Sequence, residues 1–285
     1  MMKYMNQLIC GDCVDLIKNL DDQSIGLCVT SPPYANQRSG DSSTGAVLYS
    51  GVKESEFPAW TVSWMSALKP KLKPDASVFI VIRPHLRDGQ ISDYTLRTRL
   101  ALRENGWKEC DELIWYKPDA PPLGSNIRPR RTWESIHWFS QSSKPFIDLY
   151  ACGNKSSVRT GGFAGSERFG EGVIAANGQI KQLKAGTSRI SDVITVAVGS
   201  LPKGVMHPAM FPNGIADALI QTFSKPGDLV LDPFMGSGQT ALSAISYGRN
   251  YVGFDQSETY VSLANSRIQM QNSSSSALQQ SFPVV

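Results

Sequence analysis

The stretch DLVLDPFMGSGQT, residues 228–240, decides the fold. An apolar run reads as a buried strand, and an acid, a proline and a glycine turn follow before the helix TALSAISYG. Gly236 and Gly238 let the backbone turn sharply and let a ligand approach with no Cβ in the way. A strand, glycine turn and helix in this order mark the place where α/β sheets bind nucleotide-like ligands. The spacing is not GxGxxG, and no lysine follows the second glycine as in a phosphate-cradling loop, so the turn is not built for a triphosphate. The next strand, YVGFD (251–255), ends on Asp255, 255 − 236 = 19 residues beyond the first glycine. An acid there accepts hydrogen bonds from both hydroxyls of a ribose, or it caps the final helix. The residues alone leave both roles open.

Outward from this stretch the chain alternates strands and helices. QLIC (7–10) is a short strand before the helix VDLIKNL, and SIGLCV (24–29) is a second strand. FPAWTVSWMSALKPKL is an amphipathic helix, ASVFIVI (76–82) a buried strand and DYTLRTRLALRENG a helix. ECDELIWYK and ESIHWFSQ are aromatic-rich strands joined by a loop rich in proline and arginine. GIADALIQTF precedes the opening stretch as a helix, and a last helix starts near Glu258. Strands and helices at this spacing predict an α/β fold with a doubly wound, mostly parallel sheet. The end, NSSSSALQQSFPVV (272–285), reads as a loose tail.

SIGLCV runs straight into TSPPY, residues 30–34. Two prolines cannot donate to a ladder and hold φ near −65°, so the strand stops there. Each also keeps its predecessor extended, which makes Ser31 and Pro32 part of a stiff corner. Main-chain carbonyls are left without close partners, and Ser31 and Tyr34 are fixed in direction. Read alone, the corner is more simply a proline-rich start to a loop.

The chain of 285 residues fits one large domain, or one domain carrying an insertion. No apolar run approaches the roughly 18 residues of a membrane span. Acidic residues come too early at the N-terminus for a signal-peptide core, so a cytoplasmic protein is expected. Five cysteines in a chain of this length are no disulfide framework. Cys10 and Cys13 form a CGDC pair, but with no second pair and three histidines in all, no metal is expected. A net charge of +3 permits nucleic-acid binding without diagnosing it.

Between 151 and 190 the texture changes, with eight glycines in forty residues against 24 in the whole chain. From 144 to 190, seven Lys and Arg stand against three acids, a net of +4. So long a segment without periodicity is either a solvated insertion or a functional surface.

Taken in this order, TSPPY and DPFMGSGQT resemble the amino-methyltransferases of DNA that use S-adenosylmethionine. The order of the blocks is that of the family's β group. ELIWYKPDAPP…ESIHWFSQS and HPAMFP (207–212) agree with it, and the likeness covers about 7–150 and 192–270. The resemblance implies a seven-stranded sheet, circularly permuted so that the cofactor strands come last. It divides the chain into a catalytic half (1–150), a target-recognition insertion (151–191), a cofactor half of the same domain (192–271) and the tail (272–285).

For the cofactor, S-adenosylmethionine, the resemblance points to Asp12, Thr30, His207, Pro208, Phe211, Asp232, Pro233, Phe234, Gly236, Ser237, Gly238 and Asp255. Asp12 is expected near the adenine, and capping the following helix is an alternative role compatible with it. Ser31, Pro32, Pro33 and Tyr34 become the catalytic corner. In it, Ser31 Oγ and the Pro32 carbonyl are acceptors for an exocyclic amine, and Tyr34 stacks on a base rotated out of the duplex. Serine in first position goes mostly with N4 methylation of cytosine, and asparagine or aspartate mostly with adenine. Methylation at carbon 5 needs a cysteine nucleophile, typically in a Pro-Cys pair, which this chain lacks.

The expected substrate is double-stranded DNA, contacted by Arg128, Arg130, Arg131, Lys155, Arg159, Arg168, Lys181 and Lys184 together with the loop 35–56. A cognate restriction endonuclease, without a stable complex, and a monomer or homodimer complete the expectation. N6-adenine methylation by the same mechanism and a non-catalytic DNA-binding protein of the same fold are the alternatives.

Overall fold

The computed structural model describes residues 3–35, 52–87, 89–120, 128–152, 173–174, 180–181, 189–198 and 212–280. One sheet of eight strands organises it. In chain order these are β1 (Gln7–Cys10), β2 (Ile25–Thr30), β3 (Leu72–Ile82), β4 (Lys108–Tyr116), β5 (Trp133–Ser140), β6 (Val193–Thr195), β7 (Leu229–Asp232) and β8 (Asn250–Asp255). Their order across the sheet is β1-β8-β7-β2-β3-β5-β4-β6. Only β5 runs antiparallel to its neighbours, β3 and β4, and every other pairing is parallel.

The helices are α1 (Cys13–Lys18), α2 (Phe57–Leu68), α3 (Tyr94–Glu104), α4 (Asn213–Phe223), α5 (Gln239–Ser246) and α6 (Glu258–Gln280). They cover both faces because the central strands are apolar on both sides. In β2, Cys28 joins a core with Ile17 of α1, Trp64 of α2 and Leu102 of α3. Its neighbours Leu27 and Val29 point the other way, into a core with Leu219 of α4 and Ala244 of α5. Successive side chains alternate across a strand, so a strand buried on both faces reads as one continuous apolar run. A third cluster seats α6 on α5 and β1 through Ala264, Ile268, Leu242 and Leu8.

The doubly wound expectation holds, with two differences. The sheet has eight strands instead of seven, because three-residue β6 adds parallel to Ile114–Tyr116 at the edge. The stretch 272–280, expected as part of a loose tail, continues α6 to Gln280. Serine, alanine and glutamine are tolerated in a helix that is already nucleated, and no proline or glycine intervenes before Pro283. Of the expected recognition insertion (151–191), the structure describes its two ends, 151–152 and 189–191, and a two-strand ladder of Val173–Ile174 with Ile180–Lys181.

From β7 the chain winds toward β8 and β1, and from β2 it winds the opposite way toward β3. The switch point therefore lies between β7 and β2, whose carboxyl ends carry Asp232 and Thr30. Open α/β sheets bind their ligands in the crevice at such a point.

Candidate active site

The two motifs read from the sequence end neighbouring strands and are tied there. Thr30 Oγ1 donates to Asp232 Oδ1 at 2.7 Å, and Thr240 Oγ1, in the first turn of α5, donates to Asp232 Oδ2 at 2.7 Å. The Phe234 N–H adds a third hydrogen bond to Oδ1 at 3.1 Å. One buried carboxylate thus joins the strand that leads into TSPPY to both ends of the glycine turn. The side chains of Thr30 and Asp232, expected at the cofactor, are spent on this tie. Thr30 is 1% exposed and Asp232 7%.

Burial pushes the Asp232 carboxyl up to about 6, against the three hydrogen bonds, which pull it down. Between about pH 4 and 6 the folded chain keeps a proton that the unfolded chain has released. That stability is present at low pH and is lost as pH rises through the window, with a slope of up to about 1.4 kcal/mol per pH unit. Asp232→Asn keeps an acceptor for Thr30 and removes this titration. Urea unfolding of wild type and variant between pH 4 and 7 should show the wild type losing stability relative to Asp232→Asn as pH rises. Parallel curves would show that Asp232 titrates like an ordinary carboxylate.

The glycine turn needs its glycines. Gly236 and Gly238 have φ of +50° and +80°, the left-handed region that costs other residues roughly 1–2 kcal/mol. At Gly238 a Cβ would also lie 2.7 Å from the Ala264 Cβ of α6. Asp255, at the end of β8, holds the turn from the side. Its Oδ2 accepts from the Gly236 N–H at 3.0 Å, and its Oδ1 accepts from the Ser257 N–H at 2.8 Å, one residue before α6. Burial raises the Asp255 carboxyl above the usual carboxylate range. Each oxygen keeps a lone-pair direction for a further donor.

Asp12 lies beside it, since the Gly11 N–H donates to the Asp255 carbonyl at 2.9 Å. The capping role foreseen for Asp12 is realised: Oδ1 accepts from the Val14 N–H at 2.9 Å, and Oδ2 accepts from Gln256 at 2.9 Å. Pro233 and Ser237 are buried, and Arg267 of α6 donates to the Ser237 carbonyl. Phe234 stands against two tryptophans of α2 that the sequence reading missed. The centroids are 5.3 Å apart to Trp60 and 5.5 Å to Trp64.

Residues Ser31–Tyr34 have no regular secondary structure, and Pro32 is buried between partly exposed Ser31 and Pro33. The Tyr34 ring packs on the core, and its hydroxyl donates to Glu134 Oε2 at 2.7 Å. Glu134 in turn pairs with Lys117. Neither residue of this pair stood out in the sequence. Burial, with Glu134 alongside, pushes the Tyr34 phenol well above its ordinary range.

The three described arginines of the expected DNA surface hold loops together. Arg128 donates to the Gly89 carbonyl, Arg130 to that of Ala120 and Arg131 to that of Pro84. A guanidinium has five N–H donors, so each retains others for phosphate or base. Lys181 is described only as part of its ladder. His207, Pro208, Phe211, Lys155, Arg159, Arg168, Lys184 and most of the loop 35–56 lie outside the described residues. Among the described residues, no group of His, Cys, Asp and Glu could hold a metal ion, and no helix is long and apolar enough to cross a membrane.

Comparison with known proteins agrees with this geometry. The model of the family described as DNA methylase (N6_N4_Mtase) matches residues 25–266. Type II methyltransferase M.PvuII of Proteus hauseri is 24% identical over 281 residues, covering 88% of this chain and 80% of that protein. The solved structure titled PvuII DNA methyltransferase (cytosine-N4-specific) superposes with a TM-score of 0.67 at 22% identity, over 90% of this chain and 84% of that one. The crystal structure of the M1.HpyAVI–SAM complex gives a TM-score of 0.60 at 18% identity, over 92% of this chain and 98% of the other.

Proposed function

We propose a specific reaction for this chain, which belongs to the DNA methylase family: transfer of a methyl group from S-adenosylmethionine to the exocyclic N4 amine of cytosine in duplex DNA. The observation that carries the proposal is the tie of Thr30 to Asp232, which fixes the S-P-P-Y corner beside the glycine turn at the switch point of the sheet. The choice of cytosine rests on Ser31 in first position and on similarity to a structure titled cytosine-N4-specific.

The residues around the turn suit the cofactor. Asp255 and Asp12 offer acceptors to sugar hydroxyls and the adenine edge, Gly236 and Gly238 leave the backbone open, and Phe234 and Trp60 supply an aromatic wall. When bound, S-adenosylmethionine supplies a methyl group activated by its sulfonium. The protein's task is then to make a poor nucleophile good, because the N4 lone pair is delocalised into the ring. Ser31 Oγ and the Pro32 carbonyl accept from the two N–H groups and draw the nitrogen toward a tetrahedral state with its lone pair aimed. The prolines hold these acceptors still, and the gain comes from preorganisation. The amine lone pair would take the methyl group as its bond to the sulfonium sulfur breaks, the S–C electron pair staying on sulfur as a neutral thioether. The nitrogen would then release its extra proton to water. Tyr34 stacks on the extruded base, about 1–3 kcal/mol against an unstacking cost of a few kcal/mol.

The segment 151–191, the loop 35–56 and the spare donors of Arg128, Arg130 and Arg131 form the recognition surface in this reading. We extend it to a modification role beside a cognate restriction endonuclease that forms no stable complex with the chain. The test is transfer of label from methyl-labelled S-adenosylmethionine. Label should enter duplex DNA. Label in RNA or protein alone would overturn the substrate class.

A further inference from the structure

Tyr34 is fixed at both ends. Its backbone follows two prolines, which hold the chain stiff just beyond β2. Its far end, the hydroxyl, reaches across the end of β3 to β5 and donates to Glu134 Oε2 at 2.7 Å. The χ2 of a tyrosine has broad wells, so a partly exposed ring is not oriented by its rotamer alone. The hydroxyl bond supplies what the rotamer leaves open.

The acceptor is itself held. Glu134 lies in β5 directly across from Trp115 of β4, and its side chain is 12% exposed. It pairs with Lys117, 11% exposed and one residue past β4. The Lys117 N–H continues the ladder to the Thr132 carbonyl at 2.7 Å, and Lys117 Nζ stands 3.9 Å from the centroid of the Trp115 ring. A carboxylate paired with an ammonium is acceptor only, so Tyr34 donates to it. Hydrogen bonds to an ionised acceptor are roughly twice as strong as neutral ones. A buried ion pair is often no more stabilising than apolar residues of the same volume, so stability alone gives no reason for this one.

We infer that Glu134 and Lys117 are positioning residues for base stacking, clamping the Tyr34 hydroxyl so that the ring face is set before the extruded base arrives. The single proton of the phenol is committed to Glu134. Tyr34 therefore meets the base through its ring face, and discrimination between bases falls to other groups. The inference rests on the methyl-transfer reading above.

Single-turnover methylation of duplex DNA by the full-length protein tests it. Tyr34→Phe keeps the ring, loses the clamp and should be about fivefold slower, with S-adenosylmethionine affinity within about twofold. Glu134→Ala combined with Lys117→Met removes the acceptor without leaving a buried ammonium unpaired, and should cost about as much. All three substitutions together should be within about twofold of Tyr34→Phe alone, because each removes the same bond. A pair that serves only the fold would instead slow the wild type and the Tyr34→Phe variant by the same factor, and that result would overturn the inference. So would a Tyr34→Phe protein that reacts at the wild-type rate. If the paired replacement does not fold, Glu134→Gln, which keeps the shape and loses the charge, takes its place. It should slow the wild type and leave Tyr34→Phe unchanged within about twofold, equal losses again overturning the clamp. A wild-type protein that methylates no DNA overturns the reaction and this inference together. Methylation with additive variants overturns the inference alone.

Discussion

Ser31→Ala should raise the barrier to methyl transfer by about 2–4 kcal/mol, roughly thirty- to a thousandfold in single-turnover rate, with fold and cofactor affinity unchanged. The size follows from deleting one preorganised acceptor where two draw on the same amine. The selectivity follows from position: Ser31 is partly exposed just beyond the buried end of β2, so its hydroxyl is not part of the core packing. Thermal unfolding and calorimetry with S-adenosylmethionine should superpose on wild type. Wild-type turnover in the variant would leave the Pro32 carbonyl as sole acceptor and remove the serine from the chemistry.

Asp255→Ala should weaken S-adenosylmethionine binding at least thirtyfold, about 2–3 kcal/mol. Two losses combine. The variant cannot accept from ribose hydroxyls, and it strips the Gly236 and Ser257 N–H groups of the acceptor that holds the turn against the start of α6. The melting temperature should therefore fall as well, by a few degrees. Asp255→Asn keeps one oxygen acceptor and should lie between wild type and alanine in both measurements. Because burial raises the Asp255 carboxyl, affinity that depends on its charge should begin to fall at a higher pH than for an ordinary aspartate. Unchanged affinity in a folded Asp255→Ala protein would take Asp255 out of the ribose role.

Much of this architecture was legible in the sequence because the signals were local. Leu27, Cys28 and Val29 read as a doubly buried strand since each is apolar whichever face it meets, and two prolines end that strand by covalent geometry alone. Gly236 and Gly238 were legible because a left-handed turn between strand and helix has few other solutions.

What escaped was set by distance along the chain. Tyr34 and Glu134 are 100 residues apart, and only the sheet order brings β5 next to β3 and hands Glu134 to the catalytic corner. Thr30 and Asp232, 202 residues apart, were read only as ligand contacts, and the tie between their side chains was not foreseen. No spacing rule reveals that a carboxylate already has partners within the fold. Strand β6, three residues long, carries too few positions for an alternation to show. The serine run of α6 reads as coil by composition, whereas the helix is nucleated upstream, where Ala264 and Ile268 pack on α5 and β1.

The most direct test of the central claim is the identity of the methylated base. Duplex DNA treated with the purified protein and S-adenosylmethionine is digested to nucleosides and read by mass spectrometry against standards. The account predicts N4-methylcytosine, formed by wild type and strongly reduced in Ser31→Ala. N6-methyladenine would keep the corner and its acceptors but contradict the assignment of the base. Duplex DNA left unmethylated at any exocyclic amine would contradict the account itself.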